Sequence, residues 1–258
     1  MTDTTGTTPF PDSPDAPIAK QHQNPGPPTS AGRAKPYSGY GPVARMLSGP
    51  PPMGRALPAF NTDVVPDSPA ELFVQWLAEA KDAGVLDPHA VTLATAGTNG
   101  MPDARIVLLR DLDLTTCGWV FATDSTSPKG TQLAENPAAA MSLYWPRQGR
   151  QIRIRGTVRA WEPAACADEF RTRPPNLKIA SLVGRQSEPL QTPAEYDQAV
   201  LQATELLNTH PDVAPPDHTL YTLRAQETEF WQADRGQRHV RLHYAQAGPA
   251  WHRTLLWP

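Results

Sequence analysis

The sequence has few cysteines, little net charge and no excess of basic residues. Only 2 of its 258 residues are cysteine, and Cys117 and Cys166 lie far apart without a CxxC pair or a cysteine and histidine cluster. This spacing argues against a zinc module or a disulfide scaffold and predicts two ordinary buried thiols. The formal net charge of -3 provides no basic field for nucleic acid or for an anionic membrane surface.

Long apolar segments and glycine-rich nucleotide motifs are also missing. The opening residues, MTDTTGTTPFPDSPDAP, contain neither a basic nor an apolar stretch, and no apolar run reaches the roughly 18 residues of a membrane span. Neither GxGxxG nor a P-loop follows a predicted strand, which argues against a Rossmann-type site. We therefore expect a cytoplasmic protein whose partners include neither a membrane nor nucleic acid.

Proline, in contrast, is abundant and unevenly distributed. The chain has 30 prolines, and nearly half of them fall within residues 1–65. Stretches such as QNPGPPTSAGRAKPYSGYGP lack a periodic apolar face and cannot offset the entropy of ordering. We predict a disordered Pro/Gly-rich tail over residues 1–65 and a folded domain over 66–258. A role of the tail as a proline-rich ligand for another protein stays open.

The folded part alternates short strands with a few helices. DSPAELFVQWLAEAKDAGV predicts a helix that begins at Pro69, AVTLATAGTNGMPDARIVLLR predicts a hairpin with an Asn99-Gly100 turn, and QIRIRGTVRAW alternates with period two. Further strands are expected at 118–124, at 138–146 and in the last forty residues, with helices at 127–135, 163–172 and 193–208. Strands in series favour an antiparallel barrel or sandwich over βαβ units.

Two basic side chains stand where an anion could bind. Arg105 opens the apolar strand ARIVLLR, and Lys129 lies in the first turn of the helix predicted at 127–135. Free N–H groups at a helix start favour an anion, and arginine grips phosphate in a bidentate manner. Gln186-Ser187 and FWQADRGQRHVR add an amide, a hydroxyl, an indole and more arginines. Such a set could hold a phosphorylated aromatic cofactor, although a solvated lysine and a strand arginine paired with a carboxylate are the simpler alternatives.

From about residue 66 to 258 the order of these segments resembles the pyridoxamine 5'-phosphate oxidase family. The resemblance is carried by ARIVLLR, GWVFATDSTSPKGTQLAENPAAAMSLYW, RQIRIRGTVRAW, FRTRP, GRQSEPL, EFWQADRGQRHVRLHY and the terminal WHRTLLWP. It implies a mainly β (α+β) fold, an antiparallel split β-barrel with a few flanking helices. It also implies a homodimer in which the two subunits share each FMN site.

The resemblance assigns FMN contacts by position. Arg105 is expected near the flavin phosphate. The full set of implied cofactor contacts is Arg105, Ile106, Val107, Leu108, Arg110, Ala122, Thr123, Lys129, Gln151, Gln186, Ser187, Trp231 and Arg241. No metal is implied.

The chain departs from the family pattern at several of these places. Pro128 stands where the family has an arginine, so one phosphate contact is missing. In vitamin-forming members the substrate phosphate meets a lysine, a tyrosine, an arginine and a serine, and the matching positions here are Arg110, Glu169, Arg173 and Leu177. Only the arginine at 173 is kept, and Glu169 is expected to repel a phosphate.

The expected reaction is oxidation of a small-molecule substrate, with O2 as the electron acceptor. Arg110, Arg173, Arg238 and His239 are the candidate substrate contacts, and Arg110 and His239 the candidate catalytic residues. Arg110 and the LYW of 143–145 resemble the phenazine-biosynthesis branch, which acts on reduced tricyclic carboxylates. We expect an oxidase of that type or one acting on another reduced heterocycle or amine. A true pyridoxamine/pyridoxine 5'-phosphate oxidase and a non-catalytic flavin-binding protein stay open as alternatives.

Overall fold

The computed structural model describes residues 56–258, so most of the predicted tail lies outside the described residues. The strands are β1 Ala90–Ala96, β2 Pro102–Asp113, β3 Gly118–Asp124, β4 Ala138–Trp145, β5 Arg150–Ala160, β6 His218–Gln232, β7 Val240–Ala247 and β8 Ala250–Leu255. The helices are α1 Pro69–Asp82, α2 Pro128–Glu135, α3 Pro163–Arg171, α4 Pro175–Val183 and α5 Pro193–Thr209, and a short 3-10 helix spans Thr62–Val64.

The strands form one antiparallel sheet that closes on itself. Their order is β3-β2-β1-β4-β5-β6-β7-β8, and an additional pairing of β3 with β6 closes the strands from β3 round to β6 into a barrel. The first half of β6 pairs with β3 on one side, and its second half pairs with β7 on that side. On its other side β6 pairs with β5 along most of the length of β6. This arrangement confirms the predicted antiparallel barrel with flanking helices. The long β6 strand thus connects the barrel to the β7–β8 extension.

Local sequence signals account for most of these elements. Ser68 occupies the N-cap of α1, Pro69 its first turn, and Phe73 and Trp76 are buried against the barrel. Residues of β5 alternate between buried and more exposed positions, as the period-two pattern predicts. Both predicted thiols, Cys117 and Cys166, are free and buried. Among the described residues no helix is long and apolar enough to cross a membrane.

Ordered packing begins earlier than the predicted boundary at residue 65. The Phe60 ring meets the Trp76 ring edge-on with centroids 4.9 Å apart. Arg253 Nη1 donates to the Val65 carbonyl at 2.9 Å, and the Tyr244 hydroxyl donates to the Pro66 carbonyl at 2.8 Å. Phe60 and Val65, near the end of the predicted tail, thus pack on or bond to the folded domain, and the Phe60 ring covers part of its apolar core.

Helix α4 was not predicted from the sequence. It follows two prolines, Pro174 at the N-cap and Pro175 in the first turn, which fix the backbone for a helix start. The helix has 9 residues and none of them is buried, so it carries no apolar stripe of the kind that marked α1. Its position matters for function, since the loop after it carries Gln186 and Ser187.

Candidate functional site

Arg105 lies on β2 among oxygen atoms of neighbouring elements. Its guanidinium donates to Thr95 Oγ1 at 2.5 Å, to Asp103 Oδ2 at 2.6 Å and to Gln132 Oε1 at 3.3 Å. The β1–β2 register pairs Arg105 with Leu93, which places Thr95 on the adjacent diagonal. The side chain is thus anchored by one exposed carboxylate and by neutral oxygens, and its charge is only partly balanced.

Lys129 lies beside this arginine, at the start of α2. Its Nζ is 2.6 Å from Gln186 Oε1 and 3.1 Å from Ser127 Oγ, and the Thr123 hydroxyl donates to the same Gln186 oxygen at 3.2 Å. The residue is only 8% exposed. Burial, together with the nearby positive charge of Arg105, lowers the pKa of Lys129. Within residues 56–258, the hydrogen bonds of this ammonium group go to neutral oxygens.

The position of Lys129 depends on the glycine that follows it. A Cβ on Gly130 would lie 2.3 Å from the Ser125 carbonyl oxygen, so only glycine lets the start of α2 approach this loop. Ser127 caps the helix by accepting from the Gly130 N–H. We call Arg105, Lys129, Thr123 and Gln186 the phosphate-side cluster. Two buried or half-buried cations, one with neutral partners and one paired with an exposed carboxylate, form a donor set that fits a phosphate dianion.

A second group of charged residues surrounds Glu169 on α3. Arg173 Nε lies 3.0 Å from each Glu169 carboxylate oxygen, and Arg173 Nη2 donates to Oε1 at 2.9 Å. His218 Nε2 is 2.9 Å from Glu169 Oε2. Arg110 is the extra residue at a bulge in β2 and lies within electrostatic reach of Arg173 and Glu169. We call Arg110, Glu169, Arg173 and His218 the Glu169 cluster.

The pKa shifts in this cluster have separate causes. Burial would raise the pKa of Glu169, but the hydrogen bonds from Arg173 and His218 outweigh it and hold this pKa below its usual value. Burial lowers the pKa of His218, although its bond to Glu169 opposes that effect. Burial, followed by repulsion from Arg173, lowers the pKa of Arg110. At neutral pH Glu169 is therefore an anion and His218 a neutral imidazole.

One cavity joins the two clusters. It has a volume of about 420 Å³, and both Thr123 and Gln186 of the phosphate-side cluster and Arg173 and His218 of the Glu169 cluster line it. Ala122, which was also predicted to contact the cofactor, lies in its wall. Residues predicted separately for the cofactor and for the substrate thus meet at one space.

The remaining predicted residues form a separate group on β5, β6 and β7. Gln151 pairs with Trp231, which also pairs with Arg241, and the Trp231 and His239 rings lie 4.8 Å apart. Arg241 donates to Glu229 Oε1 at 2.7 Å and to the Trp257 carbonyl at 2.9 Å. His239 Nδ1 accepts from the Asp234 N–H at 3.0 Å, which orients its ring. We call this the β6–β7 group, and Arg238 lies in its connecting loop.

The β6–β7 group lies far from the cavity within one chain. Ala122 pairs with Leu220 at one end of β6, whereas Trp231 lies near the other end. The eleven residue steps from Leu220 to Trp231 correspond to about 35 Å of extended strand. The two groups therefore lie at different ends of β6.

The other predicted positions differ in how they face the surface. Alternation along β2 buries Val107 in the core and leaves Ile106 and Leu108 exposed on the outer face. Ser187 lies in the exposed loop after α4, and its φ of 73° is in the left-handed region. Leu177, at the position of a family serine, is partly exposed on α4.

Sequence reasoning missed Thr95, Gln132 and His218. Thr95 could not have been found from the predicted two-residue Asn99-Gly100 turn, because the observed register, with Ala96 opposite Pro102, differs from it by one residue. His218 begins a strand without a neighbouring motif, and its bond to a residue 49 positions earlier has no local signal. Asp103 was visible two residues before Arg105 but was not assigned.

Two family models match this chain. The model for "Pyridoxamine 5'-phosphate oxidase" matches residues 77–232, and the model for "Pyridoxine 5'-phosphate oxidase C-terminal dimerisation region" matches residues 218–258. The second match includes β6, β7 and β8, the strands that carry the β6–β7 group.

Curated relatives cover the same folded part. The pyridoxine/pyridoxamine 5'-phosphate oxidase of Rhodopseudomonas palustris strain BisB5 is 34% identical over 194 residues, which is 74% of this chain and 91% of the relative. The enzyme of the same name from Salinibacter ruber is 37% identical over 196 residues, with 76% and 90% of the two chains covered.

Solved structures share the fold. PhzG from Burkholderia lata 383, in complex with tetrahydrophenazine-1-carboxylic acid, has a TM-score of 0.71 and 31% identity and covers 78% of this chain and 99% of its own. A pyridoxamine 5'-phosphate oxidase-related, FMN binding protein from Nostoc punctiforme has a TM-score of 0.61 at 18% identity, with 74% and 98% covered. The latter likeness concerns the fold alone.

Proposed function

Because this chain belongs to the pyridoxamine 5'-phosphate oxidase family, we propose that it is an FMN-dependent oxidase that acts on a reduced heterocycle or amine. The observation that carries the proposal is the cavity where Thr123 and Gln186 face Arg173 and His218. It supports the proposal because Lys129 is bonded to Gln186 in one part of its wall, and a second set of side chains suited to an anionic or polar substrate lies in another.

Residues of the phosphate-side cluster would hold the cofactor. Arg105 and Lys129 neutralise the flavin phosphate, and Thr123 and Gln186 offer hydrogen bonds beside it. The neutral partners of Lys129 leave its charge available, which compensates for the arginine that Pro128 replaces. FMN, when bound, accepts a hydride from the substrate and passes the electrons to O2.

The Glu169 cluster would orient the substrate. Arg110, re-aimed by the bulge in β2, supplies positive charge toward an anionic substrate group, and Arg173 is fixed in the cavity wall by its carboxylate partner. Arg110 and His239 are the proposed catalytic residues. With Nδ1 accepting from Asp234, the neutral His239 ring carries its proton on Nε2 and can donate it to a substrate.

We further propose that two copies of the chain complete each site. The β6–β7 group, with Gln151, Trp231, Arg238, His239 and Arg241, lies at the other end of β6 from the cavity of its own chain. Apart from Gln151 on β5, its residues fall within the segment that matches the C-terminal dimerisation model. A homodimer in which one copy brings its cavity and the other its β6–β7 group would bring all the predicted contacts together.

Two substrate types are supported by different observations. The likeness to PhzG, solved with tetrahydrophenazine-1-carboxylic acid, favours a phenazine-type substrate. The curated relatives are named pyridoxine/pyridoxamine 5'-phosphate oxidases, and Arg173 is kept, which favours a vitamer phosphate as the second candidate. We propose the first type because Glu169 and Leu177 replace groups that a phosphate would need.

The test is the visible spectrum of the purified full chain, followed by oxygen uptake. We expect a yellow dimer that consumes O2 with a reduced phenazine carboxylate and much less with pyridoxine 5'-phosphate. Efficient turnover of the vitamer phosphate would establish the second candidate instead. A colourless protein that does not take up added FMN would contradict both and leave a non-catalytic role.

A further inference from the structure

Glu169 stands out because all of its hydrogen-bonding capacity is used inside the protein. One oxygen accepts from Arg173 twice, through Nε and Nη2, and the other accepts from Arg173 Nε and from His218. The Arg173 side chain is only 8% exposed, and its positive charge is compensated by the Glu169 carboxylate in the protein without a ligand. Arg173 can still offer the N–H groups of Nη1 to a ligand, but its pair with Glu169 brings no net positive charge to the cavity wall.

The other charged residues of the cavity do not restore a positive field. Asp124 and Asp217 line the same space, and Asp124 Oδ1 accepts from the Thr126 N–H and hydroxyl. His218 is buried with its Nε2 2.9 Å from Glu169 Oε2, and burial lowers its pKa, so it adds no positive charge at neutral pH. In the Glu169 cluster, two arginines and one carboxylate leave a single net positive charge.

We propose that Glu169 determines the charge of the accepted substrate, selecting a singly charged carboxylate and rejecting a phosphate dianion. The inference rests on the proposed function, because it concerns the substrate side of the same cavity. Glu169 repels a phosphate dianion about twice as strongly as a carboxylate in the same place, and Asp124 and Asp217 on the same cavity act in the same sense. At a partly dehydrated site this repulsion is weakly screened.

The test compares ligands that share a pyridine ring and differ in the group, and so in the charge, at one ring position. Pyridoxine 5'-phosphate and 5-pyridoxate carry a phosphate and a carboxylate on the same ring position, and pyridoxine itself is neutral there. Their dissociation constants are measured by titration calorimetry on the full chain as purified, at neutral pH. We expect the wild type to bind the carboxylate at least as tightly as the phosphate.

The variant Glu169→Gln removes the charge and keeps a side chain of the same shape. Coulomb energy scales with ligand charge, so a gain of about threefold for the carboxylate corresponds to about tenfold for the phosphate dianion, and pyridoxine should be unaffected. Asp168→Asn is the matched control, since Asp168 lies on the same helix in an exposed pair with Arg171. It should leave all three constants unchanged.

An unchanged ratio of phosphate to carboxylate affinity in Glu169→Gln would overturn the inference. Should that variant not fold, as judged by its melting curve, the wild type still decides: tighter binding of the phosphate refutes charge selection. Flavin content is recorded in the same samples. A protein without flavin refutes the proposed function, whereas a yellow protein with an unchanged ratio refutes only the role of Glu169.

Discussion

The two clusters on the cavity contain similar cations but differ in what those cations contact. Lys129 is bonded to neutral oxygens, and Arg105 is bonded to one carboxylate, Asp103, whose side chain is 52% exposed. Arg173 instead makes a bidentate pair with a carboxylate that is itself half-buried. The phosphate-side cluster therefore keeps its positive charge for a ligand, and the Glu169 cluster keeps most of its charge for the protein.

This difference shows that counting basic residues does not define an anion site. The counterion, and its burial, decide how much charge remains. In a half-buried site a carboxylate in contact with an arginine is weakly screened, whereas a solvent-exposed one such as Asp103 has less effect. The difference supports the proposal that the phosphate-side cluster holds the dianionic end of a cofactor and that the Glu169 cluster meets a singly charged substrate group.

The largest expected effect comes from Arg105→Ala. Losing two hydrogen bonds to a charged phosphate, at about 1.5–3 kcal/mol each, should weaken FMN binding at least about a hundredfold. Flavin fluorescence titration of the apoprotein measures the change. Arg171→Ala, which breaks an exposed pair on α3, is the control and should keep the flavin. Equal flavin retention in both variants would remove the phosphate assignment.

The double variant Glu169→Gln/Arg173→Gln probes the other side of the comparison. Because both charges are removed together, no buried charge is left unpaired. We expect flavin content to stay at the wild-type level while the substrate KM rises about tenfold, which corresponds to one lost charged hydrogen bond. Loss of flavin from this variant would mean that the two clusters are not separate in function.

Asp103→Asn should have a smaller effect of opposite sign. It removes the only carboxylate bonded to Arg105 among the described residues, so FMN binding should tighten about threefold, limited by solvent screening. The same fluorescence titration measures it at low and high salt. Weaker FMN binding in this variant would show that Asp103 positions Arg105 instead of competing for it.

The smallest effect concerns the pH dependence of stability. The pKa of His218 is lowered in the folded chain, so on acidification the unfolded chain takes up this proton first, and stability is lost as pH falls below about 6.5. The pKa of Glu169 is also lowered, so its contribution to the free energy of unfolding is fully present above about pH 4.5 and is constant over the pH range in which His218 titrates. His218→Asn should lose less stability between about pH 7.5 and about pH 5.5 in urea titrations. Parallel losses in the two proteins would contradict this.

The strands and helices of the barrel could be predicted from local sequence patterns. The contacts between residues of the Glu169 cluster could not. The alternation in β5 and the Pro69 start of α1 are encoded within a few residues, so they could be predicted. The pair between Glu169 and His218 joins a helix to a strand 49 residues later, and only the folded barrel brings them together. From the sequence, Glu169 was expected to repel a phosphate, but its bidentate hold on Arg173 was not foreseeable.

The position of Lys129 shows a further limit of sequence patterns. Its place in the first turn of a helix was predictable from Ser127 and Pro128. Its burial was not, because that depends on Gln186, which lies 57 residues away after a helix that the sequence did not reveal. The residues between α3 and α5 show the weakest local signals and supply part of the cavity wall.

The length of β6 has a genetic consequence. Suppose that each site takes its cavity from one copy and its β6–β7 group from the other. Arg105→Ala then damages the cavity part of a site, whereas Trp231→Ala damages the β6–β7 part. Mixed dimers of the two inactive variants would then contain one site made only of undamaged halves. Refolding the two proteins together should recover flavin binding that neither recovers alone, and this subunit complementation would fail if each chain built its own complete site.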